Sequence, residues 1–295
     1  MPSADRLSLI AAALLFSTGG AAIKSATLTA WQVSGLRSAV ACAVLLAVSA
    51  VARRSWLASR RTVLVAIAYA ATLTLFVAAN KLTTSAAAIF LQSTAPAYLL
   101  LLGPWLLREP VARRDLVVLL VTGVGLLCFA LGAPPVQVTA PDPKLGNILA
   151  LASGVCWAFT IAGLRWMQTA QAGGQEVGTA IGAVTLGNFA TALVAVPFAL
   201  PMVDVSGGDL AAVGYLGVFQ VAAAYLLMVR GLASVPAFDA SLLLLVEPAL
   251  NPLIAWWVHR EQPGGWAIVG GVLIIGATTV KALRDARRAP KASRG

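Results

Sequence analysis

The chain has 295 residues, of which 59% are hydrophobic and 11% are charged, and its mean hydropathy is +0.87. This composition excludes a soluble globular domain and indicates a polytopic membrane protein. The net charge of +10 does not indicate nucleic-acid binding, because the basic residues lie at the ends of apolar segments and in the C-terminal tail. One histidine and three cysteines, all three in apolar runs, offer no multi-histidine metal site, no disulfide framework and no His-based triad, so we expect neither a metal nor a cofactor.

Ten apolar runs are long enough to cross a bilayer as helices. In chain order they cover roughly residues 7–26, 29–51, 62–80, 85–107, 115–132, 145–165, 179–200, 209–229, 237–258 and 264–283. A proline-rich linker, Ala133 to Lys144, divides them into two sets of five. The predicted fold is therefore an all-α membrane protein with a five-helix repeat and external linker in residues 1–143 and a second five-helix repeat with a basic tail in residues 144–295.

The two halves repeat each other at the level of single residues. A shift of 152 residues places Pro96 on Pro248, Trp105 on Trp257, Arg108 on Arg260 and Glu109 on Glu261, and a shift of 141 places Phe16 on Trp157 and Lys24 on Arg165. Because five is an odd number, the second copy must cross the membrane upside down. Inverted repeats of this kind are typical of secondary transporters.

Lysine and arginine are distributed unevenly over the two sides of the predicted bundle. With the N-terminus inside, the cytoplasmic side receives sixteen of these residues and the outside receives four. The positive-inside rule then predicts that both termini are cytoplasmic.

Two ionisable residues, Arg37 and Glu247, lie deep within predicted spans. A charge at the centre of a span costs about 2.5 to 3.5 kcal/mol on insertion scales, so each must face protein or water. They either bond to neighbouring helices or set the charge of a substrate cavity. Glu247 shares a helix face with Asn251, whereas their repeat counterparts Ala95 and Leu99 are apolar, which favours a functional role for this face.

Aromatic and uncharged polar residues also lie near the middle of the spans. We predict a substrate cavity lined by Phe16, Thr18, Arg37, Tyr69, Gln92, Tyr98, Trp157, Asn188, Gln220, Glu247 and Asn251, and Thr72, Thr160 and Tyr225 share the mid-span position. Each residue alone is compatible with simple packing. Together, the aromatic rings and amides suit a zwitterion or a planar organic solute better than a sugar phosphate.

Proline occurs at the same repeat position in the fourth and ninth spans, at Pro96 and Pro248. Each removes a backbone hydrogen bond near mid-membrane. We interpret the pair as hinges, with a static bend as the alternative.

Each half ends with proline, an aromatic-rich stretch and Arg-Glu, and the chain opens with ALLFSTGGAAIK followed by Arg37. In these features it resembles the EamA-type transporters of the drug/metabolite transporter superfamily, and most of all their bacterial exporters of aromatic amino acids and planar cations. The resemblance implies a location in the bacterial inner membrane and a central cavity formed by the first four spans of each half, with the fifth and tenth peripheral. Ser17 and Ala158 stand where the family usually has glycine.

The sequence thus favours a secondary transporter that exports amino acids, aromatic or neutral, or related small organic solutes. A nucleotide-sugar or phosphorylated-metabolite antiporter is the alternative within the superfamily, and a membrane scaffold without transport activity is the alternative outside it. We expect no enzyme, because no nucleophile, acid or metal ligands cluster. The expected partners are a small-molecule substrate and the lipid bilayer, with Glu247 as the candidate for binding a coupling proton, while the oligomeric state stays open. No GxxxxGK[ST] motif indicates direct use of ATP.

Overall fold

The computed structural model of the chain describes residues 4–52, 59–109, 113–131, 140–169, 176–202, 204–260 and 265–288. Over these residues it forms ten helical spans, in agreement with the predicted all-α fold. They are α1 (Ala4–Ser25), α2 (Ala30–Val51), α3 (Arg60–Leu82), α4 (Ser85–Leu107), α5 (Arg113–Leu131), α6 (Pro143–Thr169), α7 (Glu176–Ala199), α8 (Gly207–Leu232), α9 (Ala237–Leu243 and Val246–His259) and α10 (Gly265–Arg288). Within the described residues, seven helices are long and apolar enough on their own to cross a membrane: α1 to α4 and α6 to α8.

Hydrogen-bonding side chains set the starts of three spans. Thr29 begins α2 with a capping box in which its hydroxyl accepts from the Gln32 N–H, and Ser59 does the same with Thr62 at the start of α3. Ser206 caps α8 through Asp209. Such caps satisfy the first backbone N–H groups, which have no partner within the helix.

Several spans are interrupted near their middle. α1 breaks at Thr18, between Ala4–Ser17 and Gly19–Ser25, and α8 winds as a π-helix over Leu216–Ala223. α4 breaks between Ser85–Gln92 and Ala95–Leu102, just before Pro96, and α9 breaks just before Glu247 and Pro248. Broken helices are tolerated at membrane depth only where they are buried in protein or line a cavity.

The helix packing is preserved when the two halves are exchanged. α3 packs on α6 as α8 packs on α1, while α2 packs on α7, α4 on α9 and α5 on α10. Arg108 and Arg260, equivalent in the repeat, both adopt the left-handed conformation, with φ of 56° and 57°. The backbone thus repeats as the sequence does, although Glu261 and the linker up to residue 139 lie outside the described residues.

Small residues bring the helices that surround the centre into close contact. Gly154 of α6 faces the break in α4, where a Cβ atom would lie 2.8 Å from Thr94 Oγ1 and 3.0 Å from the Gln92 carbonyl oxygen. In contrast, α5 and α10 pack mainly on each other and touch few of the other spans. These two helices therefore lie at the periphery, and the centre is formed by the other spans.

Candidate substrate-binding site

A small cavity lies at the centre of the bundle. Its volume is about 30 Å³, and its lining comes from α1, α2, α3, α4, α6, α8 and α9: Phe16, Arg37, Thr72, Leu73, Phe76, Gln92, Trp157, Gln220, Tyr225 and Glu247. A second cavity of about 10 Å³ adjoins it and shares Gln92, Trp157 and Glu247. Pro96 and Pro248 line this second cavity, so it lies between the breaks of α4 and α9.

Three aromatic rings form one wall of the central cavity. The Phe16 and Tyr225 ring centroids are 5.1 Å apart, and those of Trp157 and Tyr225 are 5.9 Å apart, both edge to face. Tyr69 supports this wall from behind, with its ring centroid 4.7 Å from that of Tyr225. Edge-to-face packing is a favourable arrangement of aromatic rings, and here it places three of them at the wall of the cavity.

Arg37 of α2 is fully buried and lines the cavity. One terminal nitrogen donates to Gln220 Oε1 at 3.2 Å, and the other donates to the Leu73 carbonyl at 3.1 Å. Nε has no hydrogen-bond partner, and no carboxylate among the described residues forms an ion pair with the guanidinium. Among the described residues, neutral acceptors alone therefore hold this cation.

Glu247 lies at the break in α9 and lines both cavities. Its side chain is 8% exposed, and no described residue donates a hydrogen bond to its carboxylate or forms an ion pair with it. A guanidinium and a carboxyl group thus face one buried space without forming an ion pair with each other.

A chain of uncharged polar groups joins three helices beside the cavity. Gln92 Nε2 donates to Ser153 Oγ at 2.7 Å, and Ser153 Oγ donates to the Thr72 carbonyl at 3.2 Å. The Thr72 and Thr160 hydroxyls are 3.2 Å apart. This chain fixes the Gln92 amide at the end of the first segment of α4.

Six of the predicted lining residues line the central cavity: Phe16, Arg37, Gln92, Trp157, Gln220 and Glu247. Tyr69 and Asn188 lie one layer further out, where Asn188 Nδ2 donates to the Tyr69 hydroxyl at 2.8 Å. Tyr225 and Thr72, which share the mid-span position, also line the cavity.

Two predicted residues lie away from the cavity. The Thr18 hydroxyl donates to the Leu15 carbonyl and accepts from the Tyr215 hydroxyl at 2.9 Å. Tyr98 follows the break in α4 and packs, half-buried, against the apolar core. The side chain of Asn251 lies outside the described part of the structure.

Leu73, Phe76 and Ser153 belong to the site although they were not among the predicted residues. Leu73 and Phe76 are apolar, so the sequence does not distinguish them from the other apolar residues of their span. Phe76 lies four residues after Thr72, and Ser153 lies four residues before Trp157, so helical spacing alone places each near a predicted face.

Polar contacts join neighbouring helices at both ends of the bundle. At the near end, where α1 begins, Arg165 Nε lies 3.2 Å from Glu109 Oε1, and its NH1 donates to the Leu232 and Ala233 carbonyls at 2.9 Å. At the far end, Lys24 Nζ donates to the Thr83 carbonyl at 3.0 Å. Lys24 and Arg165 are equivalent in the repeat, so each half supplies one such cation, and the two act at opposite ends.

A solved crystal structure has the same fold over nearly the whole chain. It is 21% identical in sequence, with a TM-score of 0.72, and the match covers 98% of this chain and 100% of that chain. No curated protein matches the sequence. The sequence model of the EamA-like transporter family matches the chain twice, over residues 6–131 and 144–281, which is one match for each half of the bundle. With this match over most of its length, the chain belongs to the EamA-like transporter family and is a multi-pass membrane transporter of the drug/metabolite transporter superfamily.

Proposed function

We propose that this protein exports neutral amino acids, aromatic ones in particular, across the bacterial inner membrane by alternating access. The observation that carries this proposal is the pair of buried ionisable groups, the guanidinium of Arg37 and the carboxyl group of Glu247, that line one cavity without forming an ion pair with each other.

A zwitterion complements this pair. Leaving a buried charge without a counter-charge is costly, and an amino acid supplies one for each of the two groups. Its carboxylate matches the guanidinium of Arg37, which can form charge-assisted hydrogen bonds, and its ammonium matches the carboxylate of Glu247. Phe16, Trp157 and Tyr225 then offer an aromatic wall for the substrate side chain.

The cavity must widen before it can hold such a solute. Its volume of about 30 Å³ leaves room for ordered water, which needs roughly 10–15 Å³, but is far below the roughly 300 Å³ of a small ligand pocket. Polar contacts join neighbouring helices at each end of the bundle. We interpret the structure as a closed form, from which the segments beyond the breaks in α4 and α9 move to open one end at a time.

The other candidate substrates fit the lining less well. A nucleotide sugar or phosphorylated metabolite carries at least one phosphate and calls for several cations, whereas Arg37 is the one cation among the described lining residues. A planar cation could use Glu247 and the aromatic wall, but it would leave Arg37 without an anion.

The orientation of the protein in the membrane and the energy source of transport are part of the same proposal. Both termini are cytoplasmic, as the distribution of Lys and Arg predicts, so Arg165 and Glu109 close the cytoplasmic end. Glu247 is the group through which a proton could be coupled to transport, because it is an acid in the substrate cavity.

Uptake of labelled L-phenylalanine into inside-out membrane vesicles tests the proposal. We expect vesicles that contain the protein to accumulate the label above vesicles without it, and we expect excess unlabelled L-phenylalanine to suppress this signal. Equal uptake in both preparations would contradict amino-acid export and leave a non-transporting scaffold as the better description. Uptake of a nucleotide sugar in place of the amino acid would favour the antiporter.

A further inference from the structure

Gln220 lies in the π-helical stretch of α8, and its side chain reaches across to α1 and α2. Its Oε1 accepts a hydrogen bond from Arg37, and its Nε2 end packs against Gly19, the first residue after the break in α1. A Cβ atom on Gly19 would lie 2.7 Å from Gln220 Nε2 and 3.1 Å from Cδ. Only glycine at this position leaves the Gln220 amide room to stay where it is.

The acceptors of Arg37 are both neutral. Gln220 Oε1 and the Leu73 carbonyl hold the two terminal nitrogens in place, while Nε has no partner among the residues that the structure describes. Neutral acceptors orient a guanidinium without neutralising its charge. A carboxylate at position 220 would instead form an ion pair with Arg37 and weaken its attraction for an anionic group on a solute.

From this geometry we infer that Gln220, with Gly19 making room for it, is a positioning residue that determines specificity for a carboxylate-bearing substrate. It aims Arg37 at the cavity and leaves the positive charge available. This inference rests on the proposed function. It extends that function from Arg37 and Glu247 to Gln220 and Gly19, which hold the Arg37 guanidinium in position for the substrate carboxylate.

Two substitutions distinguish a change in the orientation of Arg37 from a neutralisation of its charge. Gln220→Glu keeps an acceptor for Arg37 but adds the counter-charge, so we expect the variant to lose its preference for an amino acid over the matching amine. Gly19→Ala displaces the flexible end of Gln220 rather than backbone, so we expect the protein to fold while the bond to Arg37 is disturbed. Gly214→Ala is the matched control, because it lies in the same span as Gln220 and a Cβ atom there meets nothing within 4 Å.

Binding of L-phenylalanine and of 2-phenylethylamine to the purified full chain in lipid nanodiscs measures this specificity. The two probes share a ring and an ammonium group, and only the first has a carboxylate. We expect the affinity ratio of amino acid to amine to fall roughly tenfold or more in Gln220→Glu, which corresponds to about 1.4 kcal/mol. We expect it to fall less in Gly19→Ala and to remain at the wild-type value in Gly214→Ala.

A ratio that stays at the wild-type value in both Gln220→Glu and Gly19→Ala would overturn the inference and leave amino-acid transport standing. A wild-type protein that binds no L-phenylalanine would instead overturn the proposed function, and the inference with it. If Gln220→Glu does not fold, the ratio in Gly19→Ala decides: a lowered ratio supports the inference, and an unchanged one contradicts it.

Discussion

Phe16 and Trp157 occupy equivalent positions in the two repeats and meet edge to face at the central cavity, with ring centroids 6.0 Å apart and an interplanar angle of 85°. The cavity therefore forms where the two halves of the chain face each other. The charges do not follow this symmetry, because the repeat counterpart of Glu247 is Ala95. A symmetric scaffold thus carries an asymmetric site, which would bind the proposed zwitterion in one orientation.

Replacing Glu247 by Gln tests the acidic half of the site. We expect transport of L-phenylalanine to fall roughly tenfold or more, the equivalent of about 1.4 kcal/mol, because the substrate ammonium loses its counter-charge. We expect the melting temperature to stay the same or rise, because the substitution replaces a buried acid that no described residue pairs with a neutral amide. Asp204→Asn, at an exposed loop residue, is the control and should change neither quantity. Full transport by Glu247→Gln would show that the carboxylate takes no part.

The near-end contact between Arg165 and Glu109 predicts a directional effect on conformation. Glu109→Gln removes the ion pair and weakens the acceptor for the Ala237 N–H, so we expect cysteines placed at the near end of the cavity to react faster with thiol reagents. Lys24→Gln should increase reactivity at the far end instead, since Lys24 bonds to the Thr83 carbonyl there. Increased reactivity at the same end in both variants would contradict the assignment of the two contacts to opposite ends.

The two prolines predict a second pair of opposite effects. Pro96→Ala and Pro248→Ala each restore a backbone N–H next to a helix break, which should straighten α4 or α9. Because the repeats are inverted, we expect the two variants to shift the balance between outward-open and inward-open forms in opposite directions. Thiol accessibility from each side of the membrane measures this balance. Shifts of the same sign, or no shift in either variant, would mean that the prolines are static bends.

Membrane orientation can be checked with single cysteines. In a variant without Cys42, Cys128 and Cys156, we expect a cysteine at Ala58 to react with an impermeant reagent only from the cytoplasmic side, and a cysteine at Thr139 only from outside. Labelling of Thr139→Cys from the cytoplasmic side alone would contradict the predicted inversion of the repeats.

The sequence predicts the scaffold well because the bilayer imposes strong constraints. Spans need about 20 apolar residues, and the shifts of 141 and 152 residues show the repeat directly. The breaks before Pro96 and Pro248 could also be anticipated, since proline removes a backbone donor.

The residues that line the central cavity are harder to predict, because they depend on which face of each helix points inward. Tyr98 follows the break in α4, which resets the helical phase, so its mid-span position does not place it at the cavity. Thr18 occupies the break in α1 and bonds away from the cavity to Tyr215. Gln220, which contacts Gly19, lies in the π-helical stretch Leu216–Ala223 of α8. No residue pattern in this stretch predicts a π-helix.

The most direct test of the account is competition for counterflow of labelled L-phenylalanine in proteoliposomes that contain the wild-type protein. If Arg37 and Glu247 each bind one charge of a zwitterion, unlabelled neutral amino acids should compete. Analogues that lack one charge, 2-phenylethylamine and 3-phenylpropionate, should compete at least roughly tenfold more weakly. Equal competition by either analogue, or the absence of any counterflow of L-phenylalanine, would contradict recognition of a zwitterion by this pair of residues.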